Sequence, residues 1–244
     1  MTIKLYQFPV SHYCEKIRWA LDYKKIPFRK INLIPGPHAS RILSIAEKSE
    51  VPVIDDDGII VQGSDAIIDY LDAKFPEYPL TPADPILAEQ ARQWEERLDL
   101  VAGRGVRAFF YHYLLPYPSV IVPLLTVKQS PVVKLLFYIG YQKMSKTMRN
   151  WMDINEATVH KSMSDMDKLL SELRQSYMNT RYLVGNEFSR ADLTACALFA
   201  PLFQPHGYGL KWPTLASAPA EMKEWLDSHE GALSSLAMRY EQNR

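Results

Sequence analysis

Ser11-His12-Tyr13-Cys14-Glu15-Lys16-Ile17-Arg18 follows a short strand-like run at residues 3–8 and opens a run with helical spacing. Cys14, Ile17 and Leu21 recur at intervals of three and four, which sets them on one helical face. The stretch therefore puts one hydroxyl and one thiol in the first turn of a helix. Unpaired backbone N–H groups and the helix dipole favour negative charge there. A thiolate is stabilised at that point, whether it is Cys14's own sulfur or one belonging to a ligand. Ser11 is equally a natural N-cap, and a lone cysteine is commonly a small buried apolar residue, so the stretch alone leaves a purely structural role open.

The residues that follow build a small domain. The helix is predicted over residues 13–25 and ends before Pro27. Residues 28–34 alternate through Arg29 and Lys30 and read as a second strand. Pro35-Gly36-Pro37 is a break, after which residues 39–46 predict a short helix facing inward through Ile42, Leu43 and Ala46. Val51-Pro52-Val53-Ile54 enters a third strand, with proline at its start where no ladder N–H is needed. Asp57-Gly58 is a strong hairpin signal leading to a fourth strand at 59–61. Ser64 is the expected cap of a further helix, in which Ile67, Ile68, Leu71 and Phe75 repeat at helical spacing. The order is β-α-β-α-β-β-α, with a right-handed crossover joining the first two strands.

Pro76, Pro79, Pro82 and Pro85 mark a semi-rigid linker, and beyond it the character changes. This divides the chain into a domain at 1–76, a linker at 77–86 and an all-helical remainder at 87–244. Residues 87–101 and 156–177 are amphipathic helix candidates. Residues 114–141 are apolar, broken by proline, and read only as short helices. Ser189 and Asp192 have the spacing of a capping box before an apolar helix at 193–202, in which Cys196 is a core residue. Trp225 and Leu226 mark one more helix before a polar tail, and no strand is expected after Val61.

Composition narrows the function. Formal net charge is zero, which gives no electrostatic footprint for nucleic acid. Two cysteines supply neither a disulfide framework nor a zinc pattern, so no metal site is expected and a reducing, cytoplasmic setting fits. Glu15, Lys16 and Arg18 interrupt any signal-peptide core. Residues 108–127 lack Asp, Glu, Lys and Arg, but Pro116, Pro118 and Pro123 argue against a membrane span.

A thioredoxin-like α/β domain followed by an all-α domain resembles the cytosolic glutathione transferase superfamily, with no subclass assigned. Four stretches carry the resemblance: Ser11-His12-Tyr13-Cys14 with Arg18; Glu50-Val51-Pro52-Val53; Gln62-Gly63-Ser64-Asp65-Ala66-Ile67 with Tyr70-Leu71; and Ser189-Arg190-Ala191-Asp192. The resemblance implies that Ser11 contacts the glutathione sulfur, as in serine-type members, and keeps it ionised for attack on an electrophile. It implies a cis Val51-Pro52 bond, with the Val51 backbone pairing with the cysteinyl part of glutathione. Ser64 and Asp65 would meet the γ-glutamyl carboxylate and ammonium, Gln62 would lie beside them, and His38 would stand near the glycyl carboxylate. His12 either points into the substrate pocket or stays exposed without a role. Cys14 keeps a monothiol role open, although no partner cysteine three residues earlier completes a pair. Tyr13, Phe109, Phe110 and Tyr113 are candidate walls of a cleft for an apolar electrophile, although aromatics at such density also build cores. A homodimer is implied by the resemblance alone. Two departures stand out: Gly63 replaces the usual Glu or Gln before Ser64, and the helical part is longer than is typical. They favour a second reading, a protein that binds a ligand or partner without turnover; a third is a thiol transferase or reductase working through Cys14.

Overall fold

In a computed structural model that describes residues 2–213 and 218–244, the first domain is a four-stranded mixed sheet. Its elements are β1 (Ile3–Gln7), α1 (His12–Tyr23), β2 (Phe28–Asn32), α2 (His38–Leu43), β3 (Val53–Asp56), β4 (Ile59–Gln62) and α3 (Ser64–Lys74). The strand order is β2-β1-β3-β4; β1 runs parallel to β2 and antiparallel to β3. Alternation along β1 explains why both sheet faces are covered. Ile3 and Leu5 join the main core with α1 and α3, whereas Tyr6 packs with Leu33, Ile42 and Val53 on the α2 side. The predicted turn is present. Asp57 and Gly58 both take positive φ, of 51° and 92°, as a tight hairpin between twisted strands requires. The Asp55 carboxylate accepts from Gly58 N at 2.9 Å and from Lys4 across the strand pair at 2.7 Å.

No regular element lies between Lys74 and Pro85. The helical part then comprises α4 (Pro85–Leu98), α5 (Arg104–Leu114), α6 (Pro118–Leu125), α7 (Pro131–Ile139), α8 (Tyr141–Trp151), α9 (Glu156–Asn179), α10 (Arg190–Phe203), α11 (Ala220–Ser228) and α12 (Glu230–Asn243). Asp84 caps α4, accepting from the N–H groups of Ile86 and Leu87 with Pro85 at the first helical position. The helix expected to end near 101 instead continues to Leu114 through a π turn at Asp99–Gly103. Residues 114–141 do form short helices, α6 and α7. The polar tail beyond Trp225 and Leu226 contains a further helix, α12. Among the described residues no strand follows β4, and no helix is long and apolar enough to cross a membrane.

α10 is the hub of the helical part. Every residue from Arg190 to Leu202 is buried, Cys196 among them, as expected for an all-round apolar helix. The capping box at its start is complete: Asp192 accepts from Ser189 N at 3.2 Å. The other Asp192 oxygen accepts from Leu183 N at 2.8 Å and from the Tyr177 hydroxyl at 3.0 Å, so the box also fastens α9 to α10.

A candidate glutathione site at one end of the sheet

Strand register assembles the site. Tyr6 pairs with Val53 and Val53 with Gln62. The bond from Gly63 N to Pro52 O at 3.3 Å carries the second ladder one residue further, so Val51 and Ser64 leave the sheet at the same end, just before Val53 and just after Gln62, as Phe8 does just after Gln7. Ser11 sits one turn beyond Phe8, its N–H bonded to Phe8 O at 3.1 Å. His38 reaches the same end, its ring 4.7 Å from that of Phe8. Ser11, His38, Val51, Pro52, Ser64 and Asp65 are thus brought together from loops far apart in sequence.

At Ser11 the capping and chemical roles do not compete. The hydroxyl oxygen accepts from Cys14 N at 3.3 Å. A hydroxyl has two acceptor lone pairs and one donor hydrogen, so this backbone bond does not itself use the O–H, for which the Cys14 sulfur and a bound sulfur are alternative acceptors. Cys14 is different. Its thiol is completely buried, and burial pushes its pKa up despite the nearby Arg18 guanidinium and the Ser11 hydrogen bond. Thiol–disulfide exchange needs an accessible thiolate, so the structure removes Cys14 from the candidate chemistry and makes it a core residue of α1.

The Val51–Pro52 bond is cis. The loop before it is held by Gln62, whose amide donates to Lys48 O and Glu50 O at 2.7 and 2.9 Å and accepts from Lys48 N at 3.1 Å. Gln62 was expected to touch glutathione. Its amide is instead spent on this loop, so it positions Val51 rather than binding ligand. Ser64 also departs from expectation: Gly63 is the residue before the helix, and Ser64 is the first residue inside it. Gly63 has a φ of 100°, a conformation that favours glycine, and its N–H reaches Pro52 O at 3.3 Å. The first intrahelical bond of α3 is Ile67 N to Gly63 O, so the N–H groups of Ser64, Asp65 and Ala66 point out of the helix end. No hydrogen bond among the described residues occupies the Ser64 hydroxyl. His38 is half-buried; burial lowers its pKa, and its Nδ1 accepts from Gly36 N at 3.1 Å.

The helical part meets this site through the π turn. Tyr13 Oη donates to Asp99 O at 2.6 Å, and His12 Nε2 lies 2.9 Å from Gly103 O. A Cβ on residue 103 would fall 1.9 Å from Tyr13 Oη, so glycine there lets α1 dock. His12 is 7% exposed and neutral, burial taking its pKa down to about 4. It is neither exposed nor a pocket wall; it clamps the two domains. Burial likewise raises the Tyr13 hydroxyl, which stays protonated as a donor. Beneath these contacts Lys16 Nζ, fully buried, bonds Asp99 at 2.9 and 3.1 Å and lies 2.8 Å from Glu95. Arg190 completes the joint. It donates to Glu95 and Asp69 at 2.5 Å, to Thr81 at 3.1 Å and to Asp65 O at 3.3 Å, tying the first turn of α3 to α4 and α10.

The second-substrate walls are only partly where they were expected. Tyr13 lies against the π turn, its hydroxyl on Asp99 O and beside Gly103. Phe109 is wholly buried among Phe110, Tyr113 and Trp225, and is core. Phe110 is half-buried against it. Tyr113 lies some ten residues beyond Gly103, roughly 15 Å along the helix. There it lines a separate open cleft of about 500 Å³ with His112, Tyr117, Arg149 and Glu221. Sequence reading missed Arg104 and Arg107. They lie a turn apart at the start of α5 and are the cations whose charge acts on Tyr13; Arg107 also acts on His12 and Tyr111. Their signal was present: arginines at i and i+3 in residues 100–152, which contain no Asp or Glu. Lys16, Asp99, Glu95 and Arg190 gave no comparable signal, because their pairing is wholly long-range.

Comparison with known proteins accounts for this arrangement. Residues 5–79 match the family model described as "Glutathione S-transferase, N-terminal domain", and residues 132–225 the model described as "Glutathione S-transferase, C-terminal domain". The chain is 38% identical over 88 residues to glutathione S-transferase Z2 of Arabidopsis thaliana, covering 34% of this chain and 38% of that protein. It is 32% identical over 105 residues to a probable maleylacetoacetate isomerase of Caenorhabditis elegans, covering 42% and 47%. These matches span less than half the length of the curated relatives. The fold resembles the β-etherase LigF of Sphingobium sp. at a TM-score of 0.65 and 22% identity, covering 99% of this chain and 100% of that one. It also resembles a glutathione S-transferase of Rhodospirillum rubrum at 0.62 and 18%, covering 96% and 91%. With a matching model on each side of the linker and the fold common to both, the chain belongs to the cytosolic glutathione transferase superfamily.

Proposed function

We propose that the chain is a glutathione transferase in which Ser11 holds the glutathione sulfur as a thiolate. The observation that carries this reading is the gathering of Ser11, Val51 and Ser64 at one sheet end, with the Ser64 hydroxyl and the N–H groups of α3 unoccupied. The γ-glutamyl carboxylate would sit on the α3 N-terminus, where both hydrogen bonds and dipole favour an anion. The Asp65 carboxylate would meet the ammonium. The Val51 backbone would pair with the peptide as an added strand. A free thiol is mostly protonated at neutral pH; a hydroxyl donor at a helix N-terminus favours the ionised form. The sulfur lone pair then forms the new C–S bond as the electrophile's leaving group departs with its bonding pair.

The electrophile would enter along α5. Arg104 and Arg107, whose charge reaches Tyr13, would meet it there, so the acceptor is read as an apolar body bearing an anionic group. A bidentate Arg–carboxylate bond adds geometric selection to charge. Isothermal titration of glutathione into wild type and Ser64→Ala tests the first half: saturable binding, weakened in the variant, is expected, and absence of binding to wild type would sink the reading. Arg107→Ala tests the second by raising KM for a carboxylated electrophile and leaving KM for an uncharged one unchanged.

A second reading, a binding protein without turnover, is favoured by one observation. Gln62 is spent on its own loop, which leaves glutathione fewer side-chain contacts than expected. Tight glutathione binding with no turnover of any electrophile would establish it. A homodimer remains a proposal resting on the family.

A further inference from the structure

α7 packs less than any other long element. Only Val133 and Phe137, one turn apart, are half-buried, and no residue of the helix is buried. The opposite stripe is apolar. Val132, Leu135, Leu136 and Ile139 are exposed to 67%, 59%, 60% and 74%. A helix of a globular protein ordinarily turns such a stripe to its core; here it faces away. Tyr138 on the same helix is exposed as well, and tyrosine partitions to membrane–water interfaces.

Charge narrows what the stripe can meet. Residues 100–152 contain no Asp or Glu, although the whole chain is neutral. Lys128, Lys134, Lys143 and Lys146 are all exposed on or beside α7 and α8. An apolar helical stripe among unneutralised lysines complements a surface that is apolar within and anionic at its rim. A second copy of this chain fits poorly. An isologous contact would bring the same lysines face to face, with no carboxylate in the segment to oppose them.

We propose that α7 docks on an anionic lipid bilayer, lying in the interfacial layer with Val132, Leu135, Leu136 and Ile139 among the acyl chains and the lysines on headgroup phosphates. The helix has nine residues, too few to span. Binding therefore draws on two signals, apolar burial and charge, as reversible surface attachment does.

Flotation of the full chain with vesicles tests this. Recovery is expected with phosphatidylcholine vesicles containing phosphatidylglycerol, and not with phosphatidylcholine alone. Ile139→Asp should weaken binding roughly tenfold or more, by removing one buried apolar side chain. Lys134→Gln combined with Lys143→Gln should weaken it by about fivefold per charge, and raised salt should mimic that loss. These positions are exposed, so the variants should keep wild-type circular dichroism. Equal recovery on neutral and anionic vesicles would overturn the proposal, as would no recovery on either. So would a mass by light scattering that halves in Ile139→Asp while wild type ignores vesicles, which would assign the stripe to a second copy.

Discussion

His12 offers a sharp test of how the two domains are joined. In the folded protein its ring is buried against Gly103 O, and burial lowers its pKa from 6.5 to about 4. In the unfolded chain it titrates normally. The folded state therefore binds fewer protons between these values, and stability rises with pH across that window. Stability is complete above about pH 6.5 and falls with acidification until His12 is charged in both states. At about pH 5 the linkage relation gives a loss of roughly 2 kcal/mol from this group, against a limit near 3 kcal/mol below pH 4. With a urea m value of about 2 kcal/mol/M, the midpoint would move by roughly 1 M.

The measurement is urea unfolding at pH 7.5 and pH 5 for wild type and His12→Gln, whose amide donates to the same carbonyl but does not titrate. Differencing is required because Asp99 shifts the other way, burial raising its carboxyl despite Lys16. Arg107 and Tyr13 are the charged or titratable groups beside the imidazole, and both persist in the variant. Wild type should lose roughly 2 kcal/mol more than the variant on acidification. Equal losses, or an NMR titration placing His12 near its ordinary pKa, would refute the reasoning.

Arg190→Ala should cost about 3–5 kcal/mol, because Glu95 then loses a buried partner; Arg190→Lys should not restore it, since a lysine cannot span Glu95, Asp69 and Asp65 O together. Equilibrium denaturation measures both. Ser11→Ala should cost about 1 kcal/mol as a lost cap. On the proposed mechanism it should also lower kcat/KM at pH 6.5 by roughly tenfold or more, recovering above pH 9, where the thiol ionises unaided; a deficit independent of pH would make Ser11 a structural residue only. Gly103→Ala should destabilise by about 1–3 kcal/mol, as its Cβ displaces Tyr13, and a tryptophan-monitored melt would show it.

The readable features of this chain are those settled within a few residues. Asp57-Gly58 needs only two positive φ angles, and Ser189 with Asp192 needs only one helical turn; both appear as read. Val51-Pro52 and Ser11 were placed by resemblance, and strand register then brought them to one sheet end. The misreadings share a cause, which is partners distant in sequence. Ser64 looks like a cap until Gly63 takes a φ of 100°. Gln62 looks available until residues 48–50 fold over its amide. Phe109 looks like a pocket wall until Trp225 arrives from α11, with centroids 4.7 Å apart. The π turn is invisible in a hydrophobic period, because one extra residue merely shifts the stripe.

Helix α1 shows why the charges around Ser11 were hardest to interpret. Glu15, Lys16 and Arg18 look like a solvated face, yet their exposures are 0%, 0% and 2%. α1 packs with Ile3, Leu5 and Ile54 of the sheet on one side and meets α10 on another, with α3 beside it, so residues 14–21 have no face left for water. Each charge then needs a partner from elsewhere. Arg18 bonds Glu15, Gln7 and Pro9 O at 2.7, 2.6 and 3.2 Å. Glu15 accepts from Tyr240 and Arg244 at 2.5 and 2.9 Å. Lys16 bridges to Asp99 and Glu95. Apolar replacements could give equal stability, since desolvation offsets most of what such pairs contribute. Apolar contacts can slide; these bonds cannot without stranding a buried charge. Their consequence is positional: α1 is fixed through Arg18 to β1, through Lys16 to α4 and the π turn, and through Glu15 and Trp19 to α12 and Arg244. Ser11, the first residue of that rigid body, is thereby held in one place relative to Val51, Ser64 and the wall of α5.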